Sequence, residues 1–77
     1  MKINVEFFGQ LVDITNTKSC EIISAADTEM LLQKLNDTFP ALRSAAFIIA
    51  VNNSLIKENT ILEDGVIVSL MPPYSGG

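Results

Sequence analysis

Residues Lys2 to Phe8 alternate, with Ile3, Val5 and Phe7 on one side and Lys2, Asn4 and Glu6 on the other. Period-two alternation predicts a strand with one buried face. Phe8 puts an aromatic ring on the polar side, and Gly9 ends the run. Leu11 and Ile14 stand three apart within Gln10 to Ile14, which predicts one short helical turn. Thr15-Asn16-Thr17 reads as a turn, and Lys18 to Ser24 as a second strand carrying Cys20, Ile22 and Ile23.

The pattern then changes period. Leu31, Leu32, Leu35 and Phe39 share one helical face, while Gln33, Lys34 and Asp37 face away. Asp27 or Thr28 is suited to cap this helix, and Glu29 sits where the helix dipole favours a negative charge. Pro40 stops it, because the residue before proline avoids the helical region. Phe47 to Val51 is a short apolar run that reads as a buried strand. Asn52-Asn53 predicts a tight turn, since asparagine tolerates the left-handed conformation, and Ser54 to Ile56 then pairs back. Glu63-Asp64-Gly65 is another turn, and Val66 to Met71 the last strand. One helix against a mixed sheet of four to five strands is an α+β arrangement. The pattern leaves the strand order open. Residues 1–71 are expected to form one domain and 72–77 an extended tail.

Composition narrows the chemistry. A chain of 77 residues holds one core, and its 48% hydrophobic content must stabilise it by packing. Cys20 is the sole cysteine and histidine is absent, so an internal disulfide is impossible and a metal cage or histidine base is not expected. The net charge is −4, and Lys2, Lys18, Lys34, Arg43 and Lys57 are scattered singly. Nucleic acids and anionic membranes attract clustered cations, so neither is expected as a partner. The longest apolar run, Ala45 to Val51, is too short for a membrane span. The amino terminus enters a strand pattern without a signal-like apolar stretch. A cytoplasmic location is expected.

The tail carries the functional signal. Pro72-Pro73 favours a stiff, extended exit, and Gly76-Gly77 offers bare backbone around which another active site can close. Six extended residues reach roughly 20 Å, enough to thread a channel in a partner. A carboxylate on such an arm is open to adenylation and then to displacement by a sulfur nucleophile, leaving a thiocarboxylate. The competing reading is a plain chain end that happens to finish in two glycines.

The whole chain resembles the small-subunit family of molybdopterin synthase, which has the β-grasp (ubiquitin-like) fold. The resemblance rests on Phe7-Phe8-Gly9-Gln10, Ala50-Val51-Asn52, Asp64-Gly65 and the ending Pro72-Pro73-Tyr74-Ser75-Gly76-Gly77. It implies that Gly77 is adenylated by a ubiquitin-activating-type enzyme and made a thiocarboxylate, with Gly76 permitting threading. The tail would then enter the large synthase subunit, in an expected heterotetramer, and deliver sulfur to the cyclic pyranopterin precursor of molybdenum cofactor. ATP is consumed by the activating enzyme, and no cofactor is expected on this chain. Two departures bear on partner fit: Leu11-Val12-Asp13 lacks the arginine common there, and Tyr74 replaces a smaller aliphatic residue.

If first and last strands are neighbours, as the resemblance implies, Phe8 and Met71 form one apolar patch at the root of the tail. Such a patch would dock the large subunit or the activating enzyme. Leu55 is a third candidate, and Pro72, Pro73, Tyr74 and Ser75 are expected partner contacts along the arm. The plainer reading tucks Phe8 under the Gln10 to Ile14 turn and uses Met71 to fill a core gap. Cys20 invites a persulfide role, but its apolar strand favours an inert thiol. Glu63 and Asp64 are better read as turn residues than as an acid–base pair. The chain is expected to be a non-catalytic sulfur-donor subunit. A thiamine-type sulfur carrier, a ubiquitin-like modifier joined through Gly77 and a simple binding module remain open.

Overall fold

The first strand of the chain lies inside the sheet and beside the last. In the computed structural model, which describes residues 1–73, β1 (Lys2–Phe7) pairs antiparallel with β2 (Ser19–Ile23) and parallel with β5 (Ile67–Met71). β3 (Ile48–Val51) runs antiparallel to β5 and to β4 (Ser54–Ile56), giving the order β2-β1-β5-β3-β4. This five-stranded mixed sheet with one main helix is the β-grasp fold. The helix comes between β2 and β3, and every return to the sheet is made at one edge or beside β5.

Ile3, Val5 and Phe7 face inward as the alternation predicts, and Val68 and Leu70 stand beside Val5 and Phe7 in register. Against them pack Leu31 and Leu35 of α2 (Thr28–Thr38). The Phe7 ring meets Phe39 edge to face, with centroids 5.6 Å apart and planes at 81°. Each aliphatic side chain so buried contributes roughly 1.5–3 kcal/mol, which is how a chain without cross-links holds together.

Asp27 is the helix cap, its carboxylate accepting the Met30 amide at 2.9 Å. The helix stops before Pro40, where the Phe39 amide donates to the Leu35 carbonyl at 2.7 Å. Pro40–Ser44 then forms a 3-10 turn that the sequence pattern does not predict, and it buries Leu42. The short helical turn is α1 (Leu11–Thr15), with Leu11 fully buried and Asn16 left-handed at its end.

One expectation needs correcting. The apolar run at Phe47 to Val51 is not a buried strand: β3 begins at Ile48 and only Ala50 is buried. Among the described residues the sheet face away from α2 has no covering layer, so Ile48 keeps partial exposure there. Ile49 and Val51, in register with the inward Leu70 and Val68, pack against the core but are only partly covered beside the three-residue β4. Asn52 and Asn53 are left-handed at φ 47° and 70°, as the tight turn requires. Asn52 also clasps β5, donating its amide to the Ile67 carbonyl at 2.8 Å and accepting the Ile67 amide on Oδ1 at 3.0 Å.

Candidate functional site

The pleat decides which side chains share the open face. Residues out of phase with Ile3, Val5 and Phe7 point away from the helix, and the register carries that parity across the sheet. Ile67, Ser69 and Met71 on β5, Ile48 and Ala50 on β3, and Leu55 on β4 therefore share one face. Phe8 lies one residue past β1, yet its amide still donates to the Leu70 carbonyl at 3.1 Å. The ladder thus continues, and Phe8 keeps the outward parity of Asn4 and Glu6.

Extending the register places Phe8 beside Met71, which pairs with Ile48 on its other side. The next row runs Glu6, Ser69, Ala50 and Leu55. Phe8 is 45% exposed and Leu55 66%, whereas Ala50 and Ser69 between them are buried. Large exposed side chains thus flank small buried ones on this face. Phe8, Met71 and Leu55 are brought to one surface. Phe8 does not tuck under α1, and Met71 is half-exposed rather than sealed in the core. The same surface includes Ile48 and Ala50, which periodicity could not assign because an all-apolar run has no visible parity. The other half of the face is polar, with Lys2 and Glu21 3.6 Å apart as an exposed ion pair worth little stability.

At the root of the tail Pro72 is buried and packed into the domain. It lies against Gly9: a Cβ built at that glycine would stand 2.8 Å from Pro72 Cγ and 3.3 Å from Cδ. Gly9 also has φ of +58°, so two independent reasons exclude a side chain there. Pro73 is exposed. Tyr74, Ser75, Gly76 and Gly77 lie outside the described residues.

The remaining candidates have structural employment. Asp64 Oδ1 accepts the Lys2 amide at 2.6 Å, and the Gly65 amide donates to the Lys2 carbonyl at 2.7 Å, so this turn fastens the start of β1. Cys20 is half-buried opposite Val5, and desolvation pushes its thiol pKa up, the opposite of what a sulfur-holding nucleophile needs. Among the described residues no helix is long and apolar enough to cross a membrane.

Relatives share this architecture. The chain is 30% identical over 82 residues to the molybdopterin synthase sulfur carrier subunit of Mycobacterium tuberculosis, covering 100% of this chain and 99% of that one. It is 34% identical to a chain in the complex of subunits 1 and 2 of the molybdopterin-converting factor from Helicobacter pylori, covering 100% of both with a TM-score of 0.78. The solution structure of small archaeal modifier protein 1 from Methanosarcina acetivorans superposes with a TM-score of 0.85, covering 99% of this chain and 96% of that one. At 23% identity that likeness speaks for the fold alone. The family model described as the ThiS family matches residues 5–77, nearly the whole length. The chain belongs to the ThiS family, on the ubiquitin-like β-grasp fold.

Proposed function

We propose that this chain is the sulfur carrier subunit of a molybdopterin synthase. The observation that carries the reading is the placement of Met71. It ends β5, belongs to the apolar face with Phe8 and Ile48, and stands one residue before the anchored Pro72. A large subunit docked on that face would lie beside the point where the tail sequence begins. Full-length similarity to a named sulfur carrier subunit and to a component of a two-subunit converting factor supports the same reading.

The chemistry belongs to Gly77. Its carboxylate is a poor acyl group until an oxygen attacks the α-phosphate of ATP, expelling pyrophosphate and forming an acyl-adenylate. A hydrosulfide equivalent then displaces AMP, leaving the carbon–sulfur bond of a thiocarboxylate. A ubiquitin-activating-type enzyme performs the adenylation, with Gly76 giving it clear access to the backbone. In the large subunit the thiocarboxylate sulfur attacks the cyclic pyranopterin precursor to give a thioester. Water then cleaves the acyl carbon–sulfur bond, leaving the sulfur on the pterin and returning Gly77 as a carboxylate. This chain has no histidine, the commonest general base, to assist these steps.

Intact mass of the chain isolated from its own host tests this. A subpopulation with one terminal oxygen replaced by sulfur is expected, together with loss of molybdenum-enzyme activity when Gly76 and Gly77 are deleted. Isopeptide links from Gly77 to lysines of other proteins would make it a modifier. Loss of thiazole synthesis instead would make it a thiamine-type carrier. An unmodified terminus with no effect of the deletion would leave a binding module.

A further inference from the structure

We propose that Gly9 and Pro72 form a joint that aims the carboxyl-terminal arm, making both positioning residues for the transfer. The inference rests on the carrier reading above. Pro72 occupies the space that any side chain at position 9 would fill, with its Cγ 2.8 Å from where a Cβ would lie. Gly9 is itself held firmly: the Phe8 amide is bonded to Leu70, and the Val12 amide donates to the Gly9 carbonyl at 3.1 Å. The socket is therefore part of the sheet and α1, not a loose loop.

Two prolines in succession stiffen the exit. The Pro72 ring fixes its own φ, and Pro73 restricts the ψ of Pro72 toward the extended region. Stiffness alone gives no direction relative to the domain. Seating one ring against Gly9 supplies it, because the ring can no longer turn with respect to the sheet. Gly77 lies five residues beyond Pro72, a span of at most about 17 Å. A partner on the face around Met71 thus receives an arm whose base is already ordered. Fixing the backbone of one residue costs an equilibrium factor of about ten, and the joint removes that cost from the encounter.

The test uses the full chain and the ubiquitin-activating-type enzyme of the same host, with ATP–pyrophosphate exchange as the assay. Pro72→Ala is expected to raise the KM for the chain about tenfold while kcat holds, since the arm must be ordered in ground and transition state alike. In the isolated chain the same variant is expected to lower the NMR order parameter of the Tyr74 amide. Gly9→Ala is expected to raise KM likewise and also to lower the melting temperature. Combining the two substitutions recovers part of the melting temperature, since the ring that clashed is gone, but leaves KM high. Unchanged KM and unchanged Tyr74 order in Pro72→Ala would overturn the joint, as would recovery of KM in the double variant. If the unaltered chain is not activated at all, the carrier reading fails, and the Tyr74 amide alone decides the joint.

Discussion

Asn59 Nδ2 donates to Asp27 Oδ2 at 3.2 Å across 32 positions of sequence. The oxygen of the same amide accepts the Thr28 hydroxyl and the Glu29 backbone N–H, each at 2.9 Å. The Thr60 amide completes the clasp by donating to Thr28 Oγ1 at 3.0 Å. One side chain thus satisfies the start of α2 and fastens the segment between β4 and β5 to it. Asn59→Ala is expected to destabilise the domain by about 1–2 kcal/mol, lowering the melting temperature by roughly 5–10 °C, readable by circular dichroism. Unchanged melting would mean that water replaces the clasp without loss.

Asp27 ties the same clasp to pH. The Met30 amide first, and then Asn59, hold its carboxyl below the ordinary value of 3.8. A depressed pKa means the unfolded chain binds the proton more tightly, so stability rises with pH through this window. The contribution is present above the unfolded value and is lost as pH falls through the lower folded one. Thermal unfolding followed from about pH 6 to about pH 2.5 is expected to show this loss, and Asp27→Asn to flatten it. An Asn variant with the wild-type acid profile would assign the acid sensitivity to other carboxylates.

The open sheet face separates binding from folding. Leu55 is 66% exposed, so Leu55→Arg is expected to change folding stability by no more than about 0.5 kcal/mol. Under the carrier reading the same change, or Phe8→Ser, weakens binding to the large subunit by about 1–3 kcal/mol in calorimetric titration. Full affinity in both variants would move the docking surface elsewhere.

Cys20 should prove dispensable for sulfur carriage. Its half-burial and raised pKa predict slow reaction with a thiol reagent at neutral pH and faster reaction once the chain is unfolded. Cys20→Ala is expected to retain the full yield of terminal thiocarboxylate. A persulfide found on Cys20 in wild-type protein would contradict this.

Gly9 tolerates no Cβ, by the argument above. Gly9→Ala is expected to cost about 2–4 kcal/mol, combining the left-handed φ with overlap against the proline ring. That is a large part of the stability of so small a domain, and denaturant unfolding measures it. A cost below about 1 kcal/mol would mean that Pro72 gives way freely.

Much of this was legible in local pattern. The inward set on β1, a cap at Asp27 or Thr28, the stop before Pro40 and the Asn52-Asn53 turn are short-range preferences. The structure agrees with each, choosing Asp27 as the cap. Element ends were less exact, with the strands predicted at Lys2 to Phe8 and Lys18 to Ser24 both shorter in the fold. The 3-10 turn at Pro40–Ser44 escaped because its one inward residue, Leu42, has no periodic neighbour. The buried reading of Phe47 to Val51 failed because burial depends on what covers a strand, which its own residues do not record.

The sequence by itself determined most of the elements and the apolar set that closes the core, since these follow from residue chemistry over a few neighbours. Only the tertiary structure decided that Phe8, Met71 and Leu55 share a face, because that needs the parallel register of β1 with β5 and the return of β3. It likewise decided that Pro72 belongs to the domain, because the space it fills is made by Gly9 at the far end of the chain. Contacts between distant positions depend on how strands pair and which way they twist, and one chain's local preferences carry no record of either.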